Sequence, residues 1–262
     1  IDNQLGKSFL IHGVTNSGKT EVYIRAAKNV IARGKTAIVL VPEIALSSQI
    51  AERFSKRFGK EQVAIMHSKL KTSERLAEWM RIKSGEAKIV VGARTAVFAP
   101  ASDIGLIIID EEHESTYKSD HNPKFETVDV AFRRSKYHNA TLVLGSATPS
   151  IVSYNRAMDG IYQLIEMKNR IGKSIMPEVN IVDMRDELRS GNSSIISRKL
   201  LASIEQTVNN GDQVILFLNR RGFSTQVLCP ECGYRMMCPD CDITLTYHKR
   251  DNAAICHYCG RK

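Results

Sequence analysis

Two patterns of hydrophobic residues alternate along the first 150 positions of the chain. Short continuous apolar runs, typical of buried strands, are separated by segments in which apolar residues recur every three or four positions, as on one face of a helix. The predicted strands are 9–11, 37–41, 63–66, 89–91, 106–110 and 141–145, and the predicted helices are 19–32, 45–58, 73–84 and 127–137. This alternation predicts an α/β fold in which a parallel sheet carries helices on both faces.

The pattern weakens after residue 167, and one short strand is predicted at 179–182. Ser197 is a predicted N-cap for a helix at 199–209, and 213–219 is a predicted buried strand. One helix and one strand cannot bury enough surface to fold alone, so the sequence predicts an incomplete second lobe. The predicted domains are a first lobe at 1–167, a connector at 168–194, the start of a second lobe at 195–228 and a cysteine-rich segment at 229–262.

The composition is that of an ordinary globular protein, with 43% hydrophobic and 25% charged residues. No apolar run approaches the roughly 18 residues that would span a bilayer. The N-terminus lacks the pattern of a secretory signal, so we expect a cytoplasmic location and no membrane partner. The net charge of +9 fits phosphate-bearing partners such as nucleic acid, and it fits a solvated basic surface equally well.

The segment after the first predicted strand has the spacing GxxxxGK[ST] of a phosphate-binding loop. In such a loop the backbone N–H groups at the start of a helix bind phosphate oxygens. Lys19 would then reach the β- and γ-phosphates of ATP, and the Thr20 hydroxyl would bind Mg²⁺. The candidate nucleotide-binding residues are Gly13, Val14, Thr15, Asn16, Ser17, Gly18, Lys19 and Thr20.

Acidic residues stand at the end of the strand predicted at 106–110. The carboxyl ends of parallel strands form the edge of the sheet where ligands bind. We therefore expect Asp110 to hold Mg²⁺ and Glu111 to orient or deprotonate the attacking water, whereas His113 senses the nucleotide. Without the phosphate loop beside it, the same segment would be equally well explained as a solvated acidic turn.

All six cysteines lie between Cys229 and Cys259, in the spacing C-x₂-C-x₅-C-x₂-C-x₁₄-C-x₂-C. This clustering in a cytosolic chain indicates metal ligands rather than disulfides. Two CxxC pairs complete one tetrahedral zinc site, and six cysteines cannot fill two such sites. The candidate zinc ligands are Cys229, Cys232, Cys238, Cys241, Cys256 and Cys259.

Seven segments together resemble the motifs of superfamily 2 helicases, and specifically those of the replication-restart DNA helicases. They are GVTNSGKTEVY, LVPEIAL, MHSKL with a later ER, VVGARTAVFAP, LIIIDEEHESTYK, LGSATPS and LFLNRRGFS. The resemblance covers nearly the whole chain, and the DEEH box, SATPS and the cysteines after NRRG make it specific. A related double-stranded DNA translocase of the RecG type is disfavoured, because no cysteine insertion is expected there.

The resemblance implies RecA-like lobes with ATP bound between them, and a 3′-to-5′ DNA helicase that restarts stalled replication forks. It implies that Ser146 and Thr148 couple ATP hydrolysis to movement, and that Arg94 and Thr95 lie near the DNA backbone. Single-stranded and forked DNA, primosome proteins and single-stranded DNA-binding protein are the implied partners. The alternative is a zinc-bearing nucleic-acid or primosome interaction module whose nucleotide site is inactive in this chain.

Further site residues follow from the same resemblance. Tyr117 and Phe125 lie in a segment that matches the aromatic-rich loop linking single-stranded DNA binding to ATP hydrolysis, where rings can stack on bases. The family has eight zinc ligands, and the implied pairing assigns one zinc to Cys238, Cys241, Cys256 and Cys259. Cys229 and Cys232 then await a fourth CxxC. The motif with the arginine that reaches the γ-phosphate is implied to lie beyond Lys262, so we expect weak hydrolysis by this chain alone.

Overall fold

The computed structural model describes residues 6–42, 44–120, 122–172, 177–217, 225–226, 229, 232–248 and 252–262. The chain divides into two compact units, Ile1–Met176 and Pro177–Lys262. Unit 1 is the α/β domain, and unit 2 contains the cysteine-rich segment. None of the described helices is both long enough and apolar enough to cross a membrane.

A parallel sheet of seven strands forms the centre of unit 1. The strands lie in the order β3-β4-β2-β5-β6-β1-β7, so β6 separates β1 from β5. Their bounds are β1 Ser8–Gly13, β2 Thr36–Leu40, β3 Val63–Met66, β4 Ile89–Gly92, β5 Ile104–Asp110, β6 Thr141–Ser146 and β7 Gln163–Met167. Six of these strands lie where the hydrophobic runs predict them.

Five helices connect the strands and cover both faces of the sheet. They are α1 Lys19–Ala32, α2 Ile44–Phe58, α3 Thr72–Ser84, α4 Thr127–Tyr137 and α5 Ile151–Met158. Tyr23 of α1 and Phe54 of α2 belong to the hydrophobic core on one face. Ile82 of α3, Val128 of α4 and Ala157 of α5 belong to the core on the other face. The predicted α/β fold with helices on both faces is therefore confirmed.

Two elements of unit 1 are absent from the sequence prediction. Helix α5 has only eight residues, and its side chains at Ile151 and Val152 are exposed, so it carries little periodic signal. Strand β7 pairs with β1 in parallel although its exposed and half-buried residues include Gln163 and Glu166. It lies at the edge of the sheet, where a strand does not need a continuous apolar run.

The described part of unit 2 has two helices, α6 Met184–Arg189 and α7 Arg198–Asn209. Ser197 caps α7, since its hydroxyl accepts a hydrogen bond from the Leu200 N–H at 3.1 Å. This cap and this helix were predicted correctly. The short strands β8 Thr225–Gln226, β9 Thr246–His248 and β10 Ala253–Ile255 form an antiparallel sheet beside the cysteines.

Two strands predicted in this part of the chain are wrong. Residues 179–182 have no regular structure, and Val179 and Ile181 are exposed. The described residues 213–217 are also irregular, with Phe217 and Ile215 exposed. A strand needs a hydrogen-bonded neighbour, and the described part of unit 2 pairs strands only in the small sheet of β8, β9 and β10. Residues 218–224, which include the NRRG motif, lie outside the described residues.

Candidate functional site

Three loops that carry the predicted motifs meet at one edge of the sheet. The phosphate loop follows β1, Asp110 ends β5, and the segment after Ser146 follows β6. These strands are parallel neighbours, and Gly145 of β6 stands in register with both Asp110 and Ile11. The carboxyl ends therefore bring together motifs that are far apart in the sequence.

The phosphate loop has the backbone conformation that such a loop needs. Asn16 and Gly18 adopt positive φ angles of 65° and 94°. Asn tolerates this region better than most residues. Helix α1 begins directly afterwards at Lys19, and no side chain caps its N-terminus. Its first N–H groups are thus left for a ligand at the positive end of the helix dipole.

Lys19 is nine-tenths buried within the loop. Its Nζ donates a hydrogen bond to the Gly13 carbonyl at 2.8 Å and lies 3.6 Å from Glu111 Oε1. Ser17 Oγ is buried and has no hydrogen-bond partner among the described residues. The loop therefore presents a buried ammonium group and an unused hydroxyl beside uncapped helix amides.

Two tyrosine hydroxyls hold Asp110. The Tyr23 hydroxyl donates to Asp110 Oδ1 at 2.9 Å, and the Tyr117 hydroxyl donates to the Asp110 carbonyl at 2.7 Å. Burial raises the pKa of Asp110, and the neighbouring Glu111 carboxylate adds to the effect, whereas Tyr23 and Lys19 oppose it. Glu111 itself has a positive φ of 46°. Two carboxylates are thus held close together at the end of β5.

A cleft of about 750 Å³ joins the phosphate loop to these carboxylates. It brings together eight of the predicted nucleotide-site residues: Thr15, Asn16, Ser17, Gly18, Lys19, Thr20, Asp110 and Glu111. Arg53, Lys56 and Arg57 of α2 also line the cleft, and sequence reasoning missed them. Their spacing of three and four residues places them on one helix face, which is the signal that could have found them.

His113, the predicted nucleotide sensor, lies beside Ser146 and Thr148, to which the family resemblance assigns coupling. His113 Nδ1 and Ser146 Oγ are 2.7 Å apart, and the same hydroxyl accepts from the Thr148 N–H at 2.9 Å. His113 Nδ1 also lies 3.7 Å from Glu111 Oε2. The contacts run from a carboxylate of the cleft to the loop after β6.

Glu112 is a residue that the sequence reasoning did not single out. Its side chain is 5% exposed and accepts hydrogen bonds from the Ser150 N–H, the Ser150 hydroxyl and the Ser153 hydroxyl at 2.7, 3.1 and 2.8 Å. Its own N–H donates to the Gly145 carbonyl. Glu112 therefore fastens the start of α5 to the end of β5. The serines three residues apart at the start of a helix are the only sequence signal for it.

A second groove lies at the carboxyl ends of β2, β3 and β4. Arg94 and Thr95 line it, together with Pro42, Ser68, Lys69, Ala93, Ser115, Thr116, Lys118 and Asp120. The Arg94 guanidinium donates to the carbonyls of Thr116 and Lys118. Arg94 therefore braces one wall of the groove, whereas Thr95 is exposed.

Tyr117, which the family resemblance places in a loop where rings can stack on bases, has a buried ring in this structure. The ring is only 1% exposed, because it fills the core on one face of the sheet while its hydroxyl reaches Asp110. Phe125 is half-buried against the same core, and its ring meets the exposed Phe98 edge-to-face with centroids 5.0 Å apart. The aromatic segment is thus anchored in the domain rather than spread on its surface.

Four of the six cysteines form a cluster suited to zinc. The sulfur atoms of Cys238, Cys241, Cys256 and Cys259 all lie within 4.8 Å of one another, and those of Cys238 and Cys259 are 3.7 Å apart. Tetrahedral zinc with bonds of about 2.3 Å separates its sulfur ligands by about 3.8 Å. Backbone N–H groups of Cys259 and Tyr258 lower the pKa of Cys256 to about 7, whereas a hydrogen bond with Cys259 and burial raise the pKa of Cys241 to about 12. The set fits one zinc ion.

Cys229 and Cys232 are outside this cluster but share its backbone design. In all three CxxC pairs the first cysteine's carbonyl accepts from the N–H four residues later, and its N–H donates to a carbonyl five residues later. The residue after the second cysteine has a positive φ each time: 73° at Gly233, 51° at Asp242 and 76° at Gly260. Cys229 and Cys232 therefore lie on a third knuckle of the kind that presents two thiolates.

The comparisons with protein families agree with both sites. Residues 1–157, more than half of the chain, match the DEAD/DEAH box helicase family. Residues 238–262 match the Cys-rich region domain of PriA DNA helicase. The second match begins at the first of the four clustered cysteines.

Individual proteins extend the similarity across the chain. Replication restart protein PriA of Bacillus subtilis is 51% identical over 262 residues, which is the whole chain and 32% of that protein. PriA of Treponema pallidum is 45% identical over 98% of the chain and 38% of that protein. The chain thus spans about a third of the length of the curated relatives it matches.

Solved structures show the same fold at lower identity. RecG bound to a three-way DNA junction matches 79% of the chain and 25% of its own length with a TM-score of 0.51 and 21% identity. The Hef helicase domain of Pyrococcus furiosus matches 80% of the chain and 46% of its own length, with a TM-score of 0.51 and 20% identity. The chain therefore belongs to the DEAD/DEAH box helicase family, and its resemblance to the replication restart protein PriA extends over almost its entire length.

Proposed function

We propose that this chain is the core of an ATP-dependent DNA helicase that moves 3′ to 5′ and acts in the restart of stalled replication forks. The observation that carries the proposal is the single cleft that holds Lys19 of the phosphate loop and the carboxylates of Asp110 and Glu111. These are the groups that bind a triphosphate, hold its metal ion and activate water, and they come from strands separated in sequence.

The nucleotide is bound by the phosphate loop. Its phosphates accept hydrogen bonds from the uncapped amides at the start of α1 and from the buried Ser17 hydroxyl. Lys19 exchanges its hydrogen bond with the Gly13 carbonyl for contacts to the β- and γ-phosphates. The cations on α2, Arg53, Lys56 and Arg57, add positive potential at the mouth of the cleft.

The residues of the cleft also fit Mg²⁺. Asp110 and Thr20 supply the oxygen ligands that Mg²⁺ prefers, and a cation between them would offset the charges of Asp110 and the neighbouring Glu111. When bound, the ion neutralises charge on the transferred phosphoryl group. Glu111 accepts the proton of the attacking water, and His113 links that carboxylate to Ser146 and Thr148.

DNA is the proposed second substrate, bound in the groove of Arg94, Thr95 and Lys69. Tyr117 lies between Thr116 and Lys118, whose carbonyls hold Arg94, and its hydroxyl holds the backbone of Asp110. A change at the groove can thus reach the metal-binding carboxylate through one short segment. The further proposed partners are single-stranded and forked DNA, primosome proteins and single-stranded DNA-binding protein, and the proposed location is cytoplasmic, in keeping with the likeness to replication restart proteins.

The zinc ion has a structural role in this proposal. Four thiolates fill a tetrahedral shell and leave no open position for substrate. The knuckle of Cys229 and Cys232 contributes to a second zinc site with two further ligands. From the alternative hypothesis we keep the proposal that this zinc-bearing segment binds a partner.

A nucleotide titration tests the function. We expect a fluorescent ATP analogue with Mg²⁺ to bind the wild-type chain, and Lys19→Ala to weaken binding at least tenfold because the phosphates lose a buried cation. Lys28→Ala is the matched control, since Lys28 is an exposed residue of the same helix outside the cleft. Equal affinity in wild type and Lys19→Ala would contradict the proposal and favour the alternative, a zinc-bearing interaction module with an inactive nucleotide site.

A further inference from the structure

Tyr23 is a buried polar residue that the proposed chemistry does not use. It lies one helical turn after Lys19 on α1, is 0% exposed, and its hydroxyl donates to Asp110 Oδ1 at 2.9 Å. The same face of α1 thus directs an ammonium group into the phosphate loop and a hydroxyl onto the end of β5. Helix α1 and strand β5 are not sequence neighbours, and this is the hydrogen bond that joins their side chains within the site.

Gly145 on β6 shows that the position of this hydroxyl is built into the fold. A Cβ placed on Gly145 would lie 1.7 Å from the Tyr23 hydroxyl and 2.9 Å from the ring carbon that bears it. The backbone of β6 approaches the tyrosine so closely that only glycine fits. Gly145 is also in register with Asp110 across the β5–β6 pair, so the hydroxyl lies between two adjacent strands.

We propose that Tyr23 is a positioning residue that fixes the Asp110 carboxylate for a divalent cation, and that Gly145 is glycine in order to make room for its hydroxyl. This inference rests on the proposed nucleotide site and assigns it a further residue. A carboxylate has about four acceptor positions, so one hydrogen bond from Tyr23 fixes the group and leaves capacity for a metal ion. Partners that orient metal ligands in this way are often worth 10- to 100-fold in metal affinity.

The hydroxyl is a donor under ordinary conditions. Burial raises the pKa of Tyr23 well above its ordinary value, and the Asp110 charge raises it further. A phenol O–H donates to a carboxylate oxygen, so Tyr23 is the donor in this 2.9 Å contact. Tyr117 cannot substitute for it, because its hydroxyl is committed to the Asp110 backbone carbonyl.

Nucleotide affinity measured with and without metal tests the inference. In the wild-type chain we expect a fluorescent ATP analogue to bind more tightly with Mg²⁺ than with EDTA. Tyr23→Phe keeps the ring and removes only the hydroxyl, so it should reduce this gain about tenfold and leave affinity in EDTA within twofold. Direct binding of Mn²⁺ to the nucleotide complex, followed by electron paramagnetic resonance, should weaken by the same factor.

Tyr162→Phe is the matched control. Tyr162 is 1% exposed, and its hydroxyl bonds to Arg156 away from the cleft, so this variant also loses a buried hydroxyl. It should keep the gain from Mg²⁺. If Tyr23→Phe keeps the gain as well, while Lys19→Ala abolishes binding, the positioning role is wrong and the nucleotide site stands. If Lys19→Ala instead binds the nucleotide as tightly as the wild type, the proposed function itself is wrong.

The variant Gly145→Ala tests the role of the Tyr23 hydroxyl independently. The added methyl group displaces the Tyr23 hydroxyl, so the variant should lose the gain from Mg²⁺ as Tyr23→Phe does. The double variant should lose no more than either single variant, because both remove the same contact. Fully additive losses would overturn the link between Gly145 and Tyr23.

Discussion

At the scale of single residues, the ionised carboxylate of Asp110 lowers the free energy of unfolding, and a bound metal ion would offset this loss. Burial and the Glu111 charge raise its pKa above the ordinary 3.8. A group with a raised pKa binds its proton more tightly in the folded chain, so ionisation lowers the stability of the fold. The loss begins as the pH rises past the unfolded value and is complete above the folded pKa.

Asp110→Asn should therefore stabilise unit 1 at neutral pH in the absence of metal. Asn keeps an oxygen for the Tyr23 hydroxyl and removes the charge, so we expect a gain in the free energy of unfolding of about 1 kcal/mol. The gain should disappear below the unfolded pKa of aspartate. Urea unfolding followed by the fluorescence of Trp79, the single tryptophan, measures it in EDTA across a pH series.

Asp159→Asn, at an exposed position after α5, is the control and should change stability little at any pH. If Asp110→Asn is less stable than the wild type at neutral pH, the ionised Asp110 carboxylate does not destabilise the fold and this prediction is wrong. Asp110→Asn should also lose the gain in nucleotide affinity from Mg²⁺. The variant is then more stable but binds the metal–nucleotide complex more weakly.

The sequence predicts site residues well where one motif fixes both chemistry and place. The phosphate loop, Asp110 and Glu111 meet in one cleft because their strands end at the same edge. The contacts of Tyr117 were not predictable, because an aromatic residue in a polar loop has the same pattern whether its ring is exposed or buried. The cations of α2 were missed since Arg and Lys on a helix face are most often merely solvated.

At the scale of elements, Glu112 joins two structures that carry different motifs. It receives three hydrogen bonds from Ser150 and Ser153 at the start of α5, and its N–H bonds to β6. Glu112→Ala leaves these buried donors without a partner, and each such loss costs about 1–3 kcal/mol. Because water can reach some of them, we expect a total loss of about 2–4 kcal/mol in the stability of unit 1.

Thermal or urea unfolding with Trp79 as the probe measures this loss. Glu114→Ala changes an exposed glutamate two positions later and should cost little. Below the unfolding transition, nucleotide affinity of Glu112→Ala should stay within twofold of wild type, since Glu112 does not line the cleft. A large loss of affinity with unchanged stability would instead make Glu112 part of the nucleotide site.

The prediction of a strand from its hydrophobic run is correct where the strand has neighbouring strands and covering helices. Strands β1 to β6 are flanked or covered on their apolar faces, so their sequences show continuous hydrophobic runs. Residues 213–217 have such a run and are exposed and irregular. A hydrophobic run predicts that a segment can be buried, and the described part of unit 2 offers it no strand to pair with.

At the scale of the whole molecule, the net charge of +9 gains meaning from where the cations lie. Lys69, Arg94 and Lys118 line the groove at the carboxyl ends of the strands in unit 1. Lys60 is equally exposed but precedes β3, so it lies at the amino end of the sheet. The two ends of one strand thus provide a matched pair of lysines, one inside the proposed DNA groove and one outside it.

Lys69→Ala should weaken binding of single-stranded DNA and reduce its dependence on salt. Each phosphate contact to a single strand contributes about 0.7 to the slope of log affinity against log salt concentration, because binding releases a counterion. We therefore expect the slope to fall by about 0.7 in Lys69→Ala and to stay unchanged in Lys60→Ala. Fluorescence anisotropy of a labelled oligothymidylate over a series of NaCl concentrations measures both. Equal slopes in the two variants would mean that the positive net charge attracts DNA without a specific binding site. The groove at Arg94 would then not be where the DNA strand lies.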